Sequence, residues 1–105
     1  MNGARFAVLL LMGLLSLAAF AQSVAAGDWD KLNQEATQLY RAGNYLGAVD
    51  VVKKALELAE KAFGPDHPTV ATSLNNLAKL LRETNRAKEA EDLEQRVARI
   101  RAIKR

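Results

Sequence analysis

Cysteine is absent from the 105 residues. No disulfide can staple the fold, no thiolate can serve as nucleophile or metal ligand, and no lipidated cysteine can anchor the chain. Histidine occurs once, at His67. It stands without a second histidine or a cluster of carboxylates, so neither a metal site nor a general base can be built around it. There is no glycine-rich phosphate loop and no serine paired with a base. The sequence therefore carries no catalytic reading, and it calls for no cofactor and no metal. Charge of one sign is also scarce: the formal net charge is +3, too small to imply nucleic acid. No stretch alternates with the two-residue period of a strand, which leaves an all-α chain.

One long apolar run is present. Phe6 to Ala21 is apolar apart from Gly13 and Ser16, follows the lone basic group Arg5, and leads into small residues before the first acids, Asp28 and Asp30. A basic start, an apolar run and a small-residue end form the pattern of a secretory signal peptide. Cuts after Ala21, Ala25 or Ala26 all leave small residues one and three positions before the scissile bond, and the charged sequence beginning just beyond favours Ala26. The expectation is a cleaved leader over 1–26, a domain over 27–105, and a periplasmic or secreted location. The alternative is a membrane anchor over 6–21, the one route to membrane contact, but 16 residues reach only about 24 Å of a roughly 30 Å hydrocarbon core.

The remainder reads as four helices. Leu32, Ala36, Leu39 and Tyr40 make one apolar stripe, with Asp28 or Asp30 expected as its N-cap and Gly43-Asn44 as its stop. From Tyr45 to Phe63 the apolar set covers more than one face, as in a helix buried between neighbours. Gly47 should cost that helix up to about 1 kcal/mol against alanine unless close packing requires it. Gly64-Pro65 ends the second helix, Asp66 or His67 caps the third, and Pro68 suits its first turn. The third helix runs from about Pro68 to Glu83 and the fourth from about Ala87 to Ile103.

A shift of 42 residues lays Leu32 on Leu74, Asn33 on Asn75, Ala36 on Ala78, Leu39 on Leu81, Ala48 on Ala90 and Asp50 on Asp92. The spacing never slips, so one two-helix unit is duplicated. With Phe63-Gly64-Pro65-Asp66-His67-Pro68, Val70-Ala71 and Ser73-Leu74-Asn75-Asn76-Leu77-Ala78, the chain resembles the tetratricopeptide repeats, in particular the 42-residue type of kinesin light chains. The resemblance spans about Leu32 to Ile103. It implies two antiparallel helical hairpins, about 29–63 and 68–105, stacked as a short solenoid after the signal peptide. Asn85 and Ala87 depart from the turn glycine and tyrosine of that pattern, which predicts a looser second hairpin.

The resemblance also implies a concave surface lined by the first helix of each hairpin, binding a protein or peptide partner. The matching positions are Asn33, Gln34, Thr37 and Arg41, then Asn75, Asn76, Lys79, Arg82 and Glu83, with Asn76 the foremost. An asparagine amide both donates and accepts, so it can hold a peptide backbone. The alternative is a structural homo-oligomer. Arrays of two repeats lack the usual third unit, so Leu93, Val97, Ile100 and Ile103 on the last helix are expected to stay partly uncovered and to pair with a twin chain or a partner. His67 and Asp66 read as connection residues. Trp29 and Tyr40 read as hydrophobic caps of the first hairpin, and the basic residues Arg96, Arg99, Arg101, Lys104 and Arg105 as partners of a helix C-terminus.

Overall fold

A computed structural model describes the backbone of residues 2–105 and the side chains of residues 17–105. Four helices follow one another: α1 (Asn2–Arg41), α2 (Tyr45–Phe63), α3 (Pro68–Glu83) and α4 (Ala87–Arg101). Each packs on its chain neighbour, so α1–α2 and α3–α4 are hairpins and α2–α3 joins them. This is the expected all-α pair of stacked hairpins. Most of the apolar run Phe6–Ala21 lies outside the described side chains; among the described residues no helix is long and apolar enough to cross a membrane.

The hairpins close on small residues. Ala36 and Ala78 on the first helices, with Ala48 and Ala90 on the second, are all buried. They share a cluster with Val49, Val51, Val52, Leu77, Leu80 and Leu81. A methyl side chain at these crossings lets two backbones approach, and the branched residues beside them fill the remaining volume. A second cluster gathers Ala59, Val70, Ala71, Leu74, Val97 and Ile100, with Trp29, Leu56, Phe63 and Leu93 against it. All four helices contribute to it.

The turns follow the duplication. Gly43 and its equivalent 42 residues on, Asn85, both take positive φ, at 80° and 62°. In each case the amide three residues past the helix bonds a carbonyl of the last turn, Asn44 to Leu39 and Arg86 to Leu81, both at 2.8 Å, as helix C-caps require. Asparagine tolerates this conformation at small cost, so the second turn keeps the geometry of the first without its glycine. The turn therefore gives the second hairpin no looseness, and Ala78 and Ala90 at its crossing are fully buried.

The helix starts differ. Asn44 caps α2 by accepting from the Gly47 amide at 2.9 Å. A Cβ on Gly47 would lie 2.6 Å from Asn44 Nδ2, so the cap is what requires glycine there. At the equivalent positions Arg86 offers α4 no side-chain cap and instead forks onto Glu89, at 3.2 and 2.7 Å. Arg86→Ser is therefore expected to stabilise the chain. It adds a cap of about 1 kcal/mol and loses an exposed pair of about 0.5 kcal/mol. Serine is short enough to coexist with the Glu89 side chain. Thermal unfolding should show a midpoint raised by roughly 2–4 °C; a lowered midpoint would mean that the ion pair outweighs the missing cap.

Two sequence expectations change. First, α1 does not begin at Asp28 or Asp30; neither is a cap, because the helix runs unbroken through Gly27. The preceding stretch is rich in alanine, and one glycine costs a helix only about 1 kcal/mol. Second, the apolar stripe of α4 is not left open. Val97 and Ile100 are buried, Leu93 is half-buried in the same cluster, and only Ile103 is exposed. The stripe turns inward onto α2 and α3, which removes the surface that a twin chain would have covered.

Candidate functional site

The connection between the hairpins is held from both sides. Gly64 takes φ +90° after α2. His67 stacks on Phe63 with ring centroids 4.8 Å apart, and its Nδ1 accepts from the Thr69 amide at 3.1 Å, capping α3. Pro68 follows as the first helical residue. His67 is thus the cap and Asp66 a turn residue. From α4, Arg96 donates to the Pro65 carbonyl at 3.3 Å, and Arg105 donates to the Asp66 carbonyl. Two of the basic residues of the C-terminal stretch therefore fasten this connection.

With that hinge fixed, α1 and α3 lie side by side and their facing side chains interlock. Trp29 Nε1 donates to Ser73 Oγ at 2.7 Å, and Ser73 is fully buried. Asn76 Nδ2 donates to Asn33 Oδ1 at 3.3 Å, while Asn33 Nδ2 donates to the Trp29 carbonyl at 2.9 Å. The Tyr40 hydroxyl donates to Glu83 at 3.1 Å. That hydrogen bond to a carboxylate, with the charge behind it, raises the Tyr40 pKa above its ordinary value. Lys79 Nζ sits 5.0 Å from the centre of the Tyr40 ring, within the range of a cation–π contact.

These contacts border a cleft of about 180 Å³ lined by Asn33, Ala36, Thr37, Tyr40, Val52, Asn76, Lys79 and Leu80. Its floor is apolar and its rim polar. A more open surface continues along α1 over Asp30, Gln34, Gln38 and Arg41. Of the nine positions that the resemblance places on the groove, Asn33, Thr37, Asn76 and Lys79 come together here, and Gln34 and Arg41 lie on the open surface beside it.

Arg82 does not. It forms a two-pronged pair with Glu94 of α4, at 2.6 and 2.9 Å, which holds the Glu94 carboxyl below its ordinary pKa and the guanidinium above. Asn75 is exposed and lines neither surface. The cause is helical phase. Asn76, Lys79, Leu80 and Glu83 are three, four and seven apart and face α1, whereas Asn75 and Arg82 lie seven apart on a stripe rotated by about 100°. Glu83 faces the right way but is taken by Tyr40.

Sequence reasoning missed Tyr40 as part of this surface and treated it as a hydrophobic cap. Its position, seven residues after Asn33 on the same face of α1, was the available signal. Trp29 is half-buried in the second cluster rather than a cap of the first hairpin. The partner for its indole N–H lies 44 residues away, beyond anything a local pattern displays.

No curated protein matches the sequence. A family model described as tetratricopeptide repeat matches residues 30–102, which covers both hairpins, the connection between them and the cleft. The chain belongs to the tetratricopeptide repeat family.

Proposed function

We propose that this chain is an exported adaptor whose α1–α3 cleft binds an extended segment or a helix of a protein partner. Tetratricopeptide repeats generally mediate protein–protein interactions, and the fold offers binding surface in place of catalytic groups. Export is supported by the leader pattern of residues 1–26. The observation that carries the binding reading is the convergence of Asn33, Thr37, Asn76 and Lys79, from two helices, on one cleft.

The chemistry of that cleft suits a peptide. Asn76 spends one N–H on Asn33 and keeps its carbonyl and a second N–H, a pair that matches the alternating groups of a peptide backbone. Ala36, Val52 and Leu80 offer an apolar floor for a side chain. At about 180 Å³ the space falls below the roughly 300 Å³ at which small-molecule pockets begin, so it seats part of a longer ligand. Lys79 forms no ion pair among the described residues and is free to meet a carbonyl or carboxylate of that ligand.

Peptides selected from a random displayed library against the processed chain provide the test. Asn76→Ala combined with Lys79→Ala should weaken them at least tenfold, about 1.4 kcal/mol, with helical content unchanged. Arg82→Ala, engaged with Glu94, should leave their affinity as it was. Equal binding by the parent and the double variant would sink the groove reading.

A further inference from the structure

We propose that the leader is removed between Ala21 and Gln22, so that the folded protein keeps Gln22–Ala26 as the first turn of its first helix. The inference rests on the export reading above and departs from a cut after Ala26, which the composition alone favours.

The apolar stripe of α1 that faces the body begins at Ala25. Ala25 is 8% exposed, and Trp29, Leu32 and Ala36 continue it at spacings of four, three and four. Trp29 belongs to the second core cluster. One turn earlier on the same face, Ala21 and Gln22 are exposed, as is every residue from 17 to 24. The edge of the folded body thus falls between Gln22 and Ala25. Cuts after Ala25 or Ala26 would each discard a residue that the body has buried. Of the described residues, a cut after Ala21 discards only 17–21, all of them exposed.

Backbone hydrogen bonding points the same way. In a continuous helix the amides of Gly27, Asp28, Trp29 and Asp30 bond the carbonyls four residues earlier, those of Ser23, Val24, Ala25 and Ala26. Cleavage after Ala26 would orphan all four and place Trp29 in a fraying first turn. Trp29 is the residue that ties α1 to Ser73 of α3. Cleavage after Ala21 moves the frayed turn to Gln22–Ala25 and leaves Trp29 two turns inside.

The bond itself is suitable. Ala19 and Ala21 put small side chains three and one positions before it, as a signal peptidase requires. Exposed helix without tertiary contact is marginal, so the segment can open into the extended form a protease binds while the repeats stay folded. Water adds across the Ala21–Gln22 amide, leaving a carboxylate on Ala21 and an amine on Gln22.

Intact-mass analysis of the full chain, expressed with its leader in a cell that exports it, reads the site directly. The expected product starts at Gln22, with or without cyclisation of that glutamine. Ala21→Leu should abolish this product, and Ala26→Leu should leave it in place. A product starting at Ala26 or Gly27 would overturn the inference while leaving export intact. A chain retaining residues 1–21 would overturn both the inference and the leader reading on which it rests.

Discussion

Trp29→Ala is expected to cost about 3 kcal/mol of stability, enough to leave much of the chain unfolded. Large aromatic-to-alanine changes in cores cost about 3–5 kcal/mol, and the half-buried position of Trp29 sets the lower end of that range. The loss has two parts. One is apolar area withdrawn from the second cluster. The other is the donor to Ser73 Oγ, in a side chain with no solvent access. Trp29→Phe separates them: it keeps most of the area, loses the N–H, and should cost about 1 kcal/mol. Urea unfolding followed by helical circular dichroism would measure both. If the alanine variant unfolds within about 1 kcal/mol of the parent, α1 is not tied to α3 through this residue. A core of this size commonly supplies only about 3–5 kcal/mol, so one such loss is decisive.

Leu74→Ala should cost about 3–4 kcal/mol, in the upper half of the roughly 2–5 kcal/mol seen for buried leucines. Leu74 is fully buried in the cluster to which α2 contributes Ala59, α3 Val70 and Ala71, and α4 Val97 and Ile100. The alanines there are too short to reach into the space left behind, and the branched residues are fixed by helices on either side. Little of the cavity can collapse. The same unfolding measurement should show a lowered midpoint with reduced cooperativity, and a cost below about 1 kcal/mol would mean the site repacks freely. Because Trp29 packs on the same cluster, the double variant should lose less than the sum of the two single changes.

Leu74 was legible in the sequence and the role of Trp29 was not, and the difference is physical. Leu74, Leu77, Ala78 and Leu81 repeat at helical spacing, and their counterparts Leu32, Ala36 and Leu39 repeat 42 residues earlier, so both stripes and both hairpins could be read directly. Contact across the stack obeys a different offset. Asn33 meets Asn76 and Tyr40 meets Glu83, 43 residues apart, while Trp29 meets Ser73 at 44. Aligning equivalent residues paired Asn33 with Asn75, one position short of the residue it touches. Asn75 and Arg82, taken from the repeat pattern, each stand one residue before Asn76 and Glu83, which face α1.

The last helix misled for another reason. A stripe with no following repeat suggests an open face, but α4 serves its own hairpin with that stripe and needs no cover. Val97 and Ile100 fill the space beside Leu74, while Arg96 and Arg105 hold the connection before α3. The start of α1 was also out of reach, because a cap signal such as Asp28 or Asp30 cannot begin a helix that has already propagated from upstream.

The most direct test of the account is a nuclear magnetic resonance titration of the chain with a library-selected peptide. The side-chain amides of Asn33 and Asn76, and the backbone amides of Thr37 and Lys79, should shift together and saturate with the peptide. Asn75 and the Arg82–Glu94 pair should stay in place. Shifts centred instead on the exposed faces of α2 and α4, with the cleft silent, would contradict the assignment of the α1–α3 surface as the binding face.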